Sequence, residues 1–71
     1  GNAVQGKAIL LHDTHNTLVR IVGNKLAVVA GLDDYIIVDE GDVLLICPKS
    51  REQEIKMLRT QVEEVFGPDF I

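Results

Sequence analysis

Leu26-Ala27-Val28-Val29-Ala30-Gly31-Leu32-Asp33-Asp34-Tyr35-Ile36-Ile37-Val38-Asp39-Glu40-Gly41-Asp42-Val43-Leu44-Leu45-Ile46 is the stretch whose reading decides the fold. Short apolar runs rich in β-branched residues alternate with breaks made of Gly, Asp and Glu. That composition specifies strands joined by turns. Working outward, the same alternation recurs upstream in Ala8-Ile9-Leu10-Leu11 and Leu18-Val19, with breaks at Asp13-Thr14-His15-Asn16 and Gly23-Asn24. Starting points repeat about every eight or nine residues, the spacing of a meander, sandwich or solenoid. The runs are nearly continuous rather than alternating, which implies strands buried on both faces.

After Pro48 the period changes. Ser50 and Gln53 have the spacing of a capping box. Ile55, Leu58, Val62, Val65 and Phe66 then fall on one helical stripe, and Glu52 stands four residues before Lys56 in the favourable order for a surface pair. Gly67 and Pro68 supply a stop. The reading is therefore one domain over residues 1–71: a mainly β region of about 4–48, a short β-solenoid or β-helix-like stack, followed by one helix over residues 51–66 whose stripe packs on the β layer.

Composition excludes several functions. With 71 residues the chain makes one small domain. A hydrophobic share of 46% against 25% charged is that of a folded globular chain. An aromatic content of 4% provides no stacking platform, and a net charge of −4 no phosphate-binding surface, so nucleic acid is not an expected partner. No apolar run approaches the roughly 18 residues of a membrane helix. A single cysteine, Cys47, rules out an intrachain disulfide and favours a cytoplasmic setting. The start at Gly1, without an initiator Met, fits a fragment of a longer chain.

Few residues suggest chemistry. His12, Asp13 and His15 are plausible metal ligands, but zinc needs three or four at telling spacings, and Asp13-Thr14-His15-Asn16 reads as a turn. Cys47 ends an apolar run and reads as a buried, inert thiol. Asp33, Asp34, Asp39, Glu40 and Asp42 read as solvated turn carboxylates. No glycine-rich phosphate loop or nucleophile motif is present. Catalytic, cofactor-binding and metal residues are accordingly none.

The stretch from Val29 to Asp39, with its Gly31-Leu32-Asp33-Asp34, resembles the C-terminal region of mannose-1-phosphate guanylyltransferases. Asp42-Val43-Leu44-Leu45-Ile46-Cys47-Pro48 is similar to that family's next segment. Gly6-Lys7-Ala8-Ile9-Leu10-Leu11-His12-Asp13-Thr14-His15-Asn16 is similar to an upstream strand and turn. Glu40-Gly41 departs from the Thr-Pro common there. The resemblance implies a parent enzyme that makes GDP-mannose from mannose 1-phosphate and GTP with magnesium, while this chain itself holds no cofactor. It also implies a partner in the parent's N-terminal catalytic domain, and a β-helix with an assembly role. A homodimer is expected through the open edge at Ala8, Ile9, Leu10 and Leu11, with Met57 and Val65 of the helix as a second contact. The alternatives are a free-standing β-rich interaction module and, more remotely, a small metal enzyme built on His12, Asp13 and His15.

Overall fold

Two ladders with one common step set the architecture. In this computed structural model, which describes residues 1–70, the strands are β1 (Ala3–Gln5), β2 (Ala8–His12), β3 (Leu18–Arg20), β4 (Leu26–Ala30), β5 (Tyr35–Asp39) and β6 (Leu44–Pro48). One sheet has the order β1-β3-β5-β6 and the other is β2-β4. Ala8 pairs in parallel with Leu26 and Leu18 in parallel with Ile36, so both ladders advance by 18 residues. Ala3 lies opposite Leu18, a first step of 15. Parallel strands repeating at a near-constant step form a coil, each turn covered by the next. The fold is mainly β, a short β-helix-like stack. β1 with β2 makes one turn and β3 with β4 a second, while β5 opens a third.

That third turn is not completed. The chain reverses at Glu40–Val43, where the Glu40 N–H bonds the Val43 carbonyl at 2.9 Å. β6 then returns antiparallel along β5, with Ile37 opposite Ile46 and Asp39 opposite Leu44.

Strand alternation sends every second side chain inward. Val19 and Ile21 of the first sheet, Val29 of the second and Ile37 of β5 form the buried core, with Ile9, Leu11, Ala27 and Leu32 packed around it. The opposite face of β5 and β6 buries Ile36 and Cys47 beneath the segment that follows β6. Among the described strands β5 alone is thus buried on both faces. Leu26 and Val28 of β4 and Leu44 and Ile46 of β6 remain exposed, which corrects the expectation of two-sided burial. Among the described residues no further layer covers them.

The corner between the sheets is polar inside. Thr14 and Thr17 point into it and are buried, Thr17 completely. The Thr17 hydroxyl donates to the His15 carbonyl at 3.0 Å and accepts the Tyr35 N–H of the next turn at 3.4 Å. The Thr14 hydroxyl lies 3.0 Å from the His12 carbonyl and 3.3 Å from that of Val29. Asn2 does the same work toward the preceding turn: its amide donates to the Thr14 carbonyl, and its oxygen accepts the Thr17 N–H, both at 2.8 Å. That anchor accounts for β1, a strand whose sequence, Ala3-Val4-Gln5, carries no strand signal. The bends require a left-handed backbone at Asp13 (φ 49°) and Asn16 (φ 51°) and, one step later, at Gly31 (φ 74°) and Asp34 (φ 61°). Asp, Asn and Gly are the residues that tolerate it.

The start of the helix differs from expectation. Lys49–Glu54 is a 3-10 segment with a kink at Arg51, and the α-helix proper, α1, is Ile55–Phe66. No side chain caps either one, so Ser50 and Gln53 form no capping box. The Lys49 N–H is instead pinned to the Asp34 carbonyl at 2.7 Å, which holds this segment against the corner. Its ion pair is Arg51 with Glu54 at 2.8 Å. Leu58 and Val62 face Val38, Val43 and Leu45 across a cavity of about 140 Å³. α1 nevertheless buries no residue fully, and Val65 and Phe66 are exposed. The stripe therefore meets the β layer over only part of its length. Gly67 ends the helix, its N–H bonding the Glu63 carbonyl. The expected domain ends at Ile71, which lies outside the described residues.

Replacing Thr17 by Val keeps the shape but leaves the half-buried Tyr35 N–H without its hydroxyl partner. It should cost about 1–3 kcal/mol in chemical denaturation, while Val65→Ala should stay within about 0.5 kcal/mol. Equal losses at the two positions would contradict the corner's role.

Candidate functional site

The polar corner gathers most of the residues that the sequence singled out. The positive-φ bends at Asp13 and Asn16 turn Thr14 inward and leave His12, Asp13 and His15 in solvent. His15 Nε2 sits 3.5 Å from Asp13 Oδ1, both largely exposed. One turn below, Asp34 accepts a hydrogen bond from the Asn16 amide, and the Lys49 ammonium bonds the Asn16 oxygen at 3.1 Å. Asp33 meets His15 through the backbone bridge of the coil. Asn16, Asp34 and Lys49 are thus the side chains that tie the bend to the next turn. Among the described residues no three of His, Cys, Asp or Glu converge on a point that could hold a metal.

Cys47 is buried and free, opposite Ile36. Glu40 reaches across to Arg59 of α1 at 2.7 Å and joins helix to reversal. The carboxyl of Glu54 is held low by the Arg51 guanidinium.

Asp39 corrects the reading of the acidic residues as solvated. It is 2% exposed and bonds Lys25 at 2.8 Å. The Lys25 hydrogen bond, then the Gly41 N–H, hold its carboxyl below the ordinary aspartate range, against the opposing effect of burial. Composition could not separate it from its turn neighbours. The 18-residue step could have, since it places Asp39 on the inward row of Ile21.

The remaining feature is apolar. On the outward face of β2 and β4, Leu10, Leu26 and Val28 are each more than half exposed. β2 and β4 pair only with each other, so each keeps one edge without a strand among the described residues. At the unfinished third turn, Ile37, Leu44 and Ile46 line an open groove of about 330 Å³ together with Lys25 and Asp39. The six residues expected to form an interface do not share one surface. Ile9 and Leu11 pack on the core, Ala8 is half-buried and Leu10 faces outward. Met57 and Val65 are exposed on α1, in a different layer. Sequence reasoning missed Leu26, Val28, Leu44 and Ile46, although their unbroken apolar runs already signalled a second face in need of cover.

Comparison with known proteins adds the family. Residues 6–62 match the MannoseP isomerase/GMP-like beta-helix domain. The chain is 43% identical over 56 residues to alginate biosynthesis protein AlgA of Pseudomonas aeruginosa, covering 79% of this chain and 11% of that protein. It superposes on the crystal structure of mannose-1-phosphate geranyltransferase from Thermus thermophilus with a TM-score of 0.77 at 22% identity, covering 89% of this chain and 19% of that one. At that identity the likeness is one of fold. The chain thus spans only about a tenth to a fifth of the length of these relatives.

Because His15 and Asp13 have no third ligand beside them among the described residues, thermal unfolding should be unchanged by a strong chelator. A large downward shift in Tm would show that the corner holds a metal.

Proposed function

Since the chain belongs to the MannoseP isomerase/GMP-like β-helix domain family, we propose that it is a non-catalytic C-terminal assembly domain of a mannose-1-phosphate guanylyltransferase. The parent would join mannose 1-phosphate and GTP into GDP-mannose and pyrophosphate, with magnesium and the nucleotide bound by an N-terminal catalytic domain. This chain supplies no group for that chemistry. It has no phosphate loop, its histidines stand at an exposed bend, and its cysteine is buried.

The observation that carries the assembly reading is the outward face of β2 and β4. Leu10, Leu26 and Val28 sit side by side there, on strands with unpaired edges among the described residues. A contiguous apolar face on so small a domain marks an interaction surface, and unpaired strand edges invite strand addition. The helix, only partly seated on the sheet, offers Met57 and Val65 as a secondary contact. The simplest product is a two-fold dimer, with the parent's catalytic domain as the other neighbour.

Two measurements test this. The chain, incubated with GTP, mannose 1-phosphate and magnesium, should release no pyrophosphate above a buffer control; release surviving repurification would end the non-catalytic reading. Light scattering over a concentration series should show mass rising toward twice 7.8 kDa, and Leu10→Lys should lower it. Leu10 is the informative position because Ile9 packs on the core and a charge there would damage the fold. A constant monomer mass at high concentration would rule the dimer out.

A further inference from the structure

The inward row of the larger sheet changes character at one residue. In the second turn it runs through Val19 and Ile21, both buried. One step later Ile37 takes the place of Val19, and the same step carries Ile21 to Asp39. Where the stack would continue with another apolar side chain, it meets a carboxylate. The oxygens of Asp39 are fully engaged. Lys25 Nζ donates at 2.8 Å, and the backbone N–H groups of Val22 and Gly41 donate at 3.3 and 3.0 Å. Val22 and Lys25 lie between β3 and β4, in the completed turn, and Gly41 lies in the reversal. One side chain therefore fastens the finished coil to the segment that turns away from it.

We propose that Asp39 is the end clasp of the coil stack: its carboxylate holds the β5–β6 reversal against the preceding turn, and without that charge β6 opens from its reversal end while β1–β4 stay folded. The far end of β6 stays tied to the corner by the Lys49 N–H on the Asp34 carbonyl and the Lys49 ammonium on Asn16; three observations make the reversal end separable. β6 pairs with β5 alone. α1 buries no residue completely. The corner hydroxyls of Thr14 and Thr17, which lock the coils, bond only backbone groups from His12 to Tyr35.

The charged groups around the clasp are Lys25 from the completed turn, Glu40 and Asp42 from the reversal, and Arg59 of α1, which is paired with Glu40. Asp39 alone among these carboxylates is buried, and its carboxyl is held below the ordinary range. The stabilisation is therefore complete above the ordinary aspartate range and is lost as pH falls through the lower, folded value. At neutral pH the clasp is closed, and substitution opens it.

Amide hydrogen exchange on the isotope-labelled chain tests this, after correction for intrinsic rates. In Asp39→Asn at neutral pH, amides of residues 44–47 should exchange severalfold faster than in the wild type, while those of residues 8–12 and 26–30 should be unchanged. Asp42→Asn should alter neither set. In the wild type, the Gly41 and Val22 amide shifts should titrate together with the Asp39 carboxyl carbon, and protection of residues 44–47 should fall in the same pH range. The proposal is overturned if residues 44–47 keep their protection in Asp39→Asn, or if both ladders lose it together. It is also overturned if the Gly41 amide shows no titration in the wild type, a readout that survives any failure of the variant to fold.

Discussion

The chain bends between β2 and β3 through a corner where backbone groups face inward, and the hydroxyls of Thr14 and Thr17 meet that demand. A buried amide or carbonyl without a partner costs more than a typical hydrogen bond returns. Thr17 bonds its own turn and the next, and Asn2 reaches down from the turn before. Because those bonds fix where each turn meets its neighbour, they also fix the register of both ladders. Register in turn decides which strand residues face the core, since a slip of one residue would expose Val19, Val29 and Ile37.

The coil that results is narrow. Its interior is shared between two short sheets, and a domain of this size buries only about 60% of the surface of its unfolded chain. Much apolar surface stays outside: the outer face of β2 and β4, and the wall of the unfinished third turn. The core of Val19, Ile21, Val29 and Ile37 and the bonds of the corner lie inside, while these apolar faces stay exposed. The bends at Asp13 and Asn16 belong to the corner: their left-handed backbone turns Thr14 and Thr17 inward and leaves His12, Asp13 and His15 exposed.

Most strands were legible because dense β-branched runs between turn residues have few other readings, and the resemblance at Gly31-Leu32-Asp33-Asp34 pointed to the same fold. Three features were not. β1 is invisible in Ala3-Val4-Gln5 because the tertiary anchor Asn2 makes it, and local propensity does not. The capping signature at Ser50 and Gln53 lost to a distant constraint, the bond from Lys49 to Asp34, which draws the chain into a 3-10 segment. Asp39 looked like its neighbours in the turn, and its burial became readable only once the 18-residue step was known. Of the residues expected at an interface, sequence found the apolar strand Ala8–Leu11 but could not tell that Ile9 and Leu11 face the core.

A β-helix of this kind, on the reading proposed above, organises an enzyme whose chemistry lies elsewhere in the polypeptide. The most direct measurement is sedimentation of the longer enzyme that carries this domain, intact and with residues 6–62 removed, alongside its initial rate per chain. Removal should lower the number of chains per assembly while the remaining part, if folded, still forms GDP-mannose. An unchanged number of chains per assembly, or a folded remainder whose chemistry is restored only by adding a group from these residues, would contradict that role.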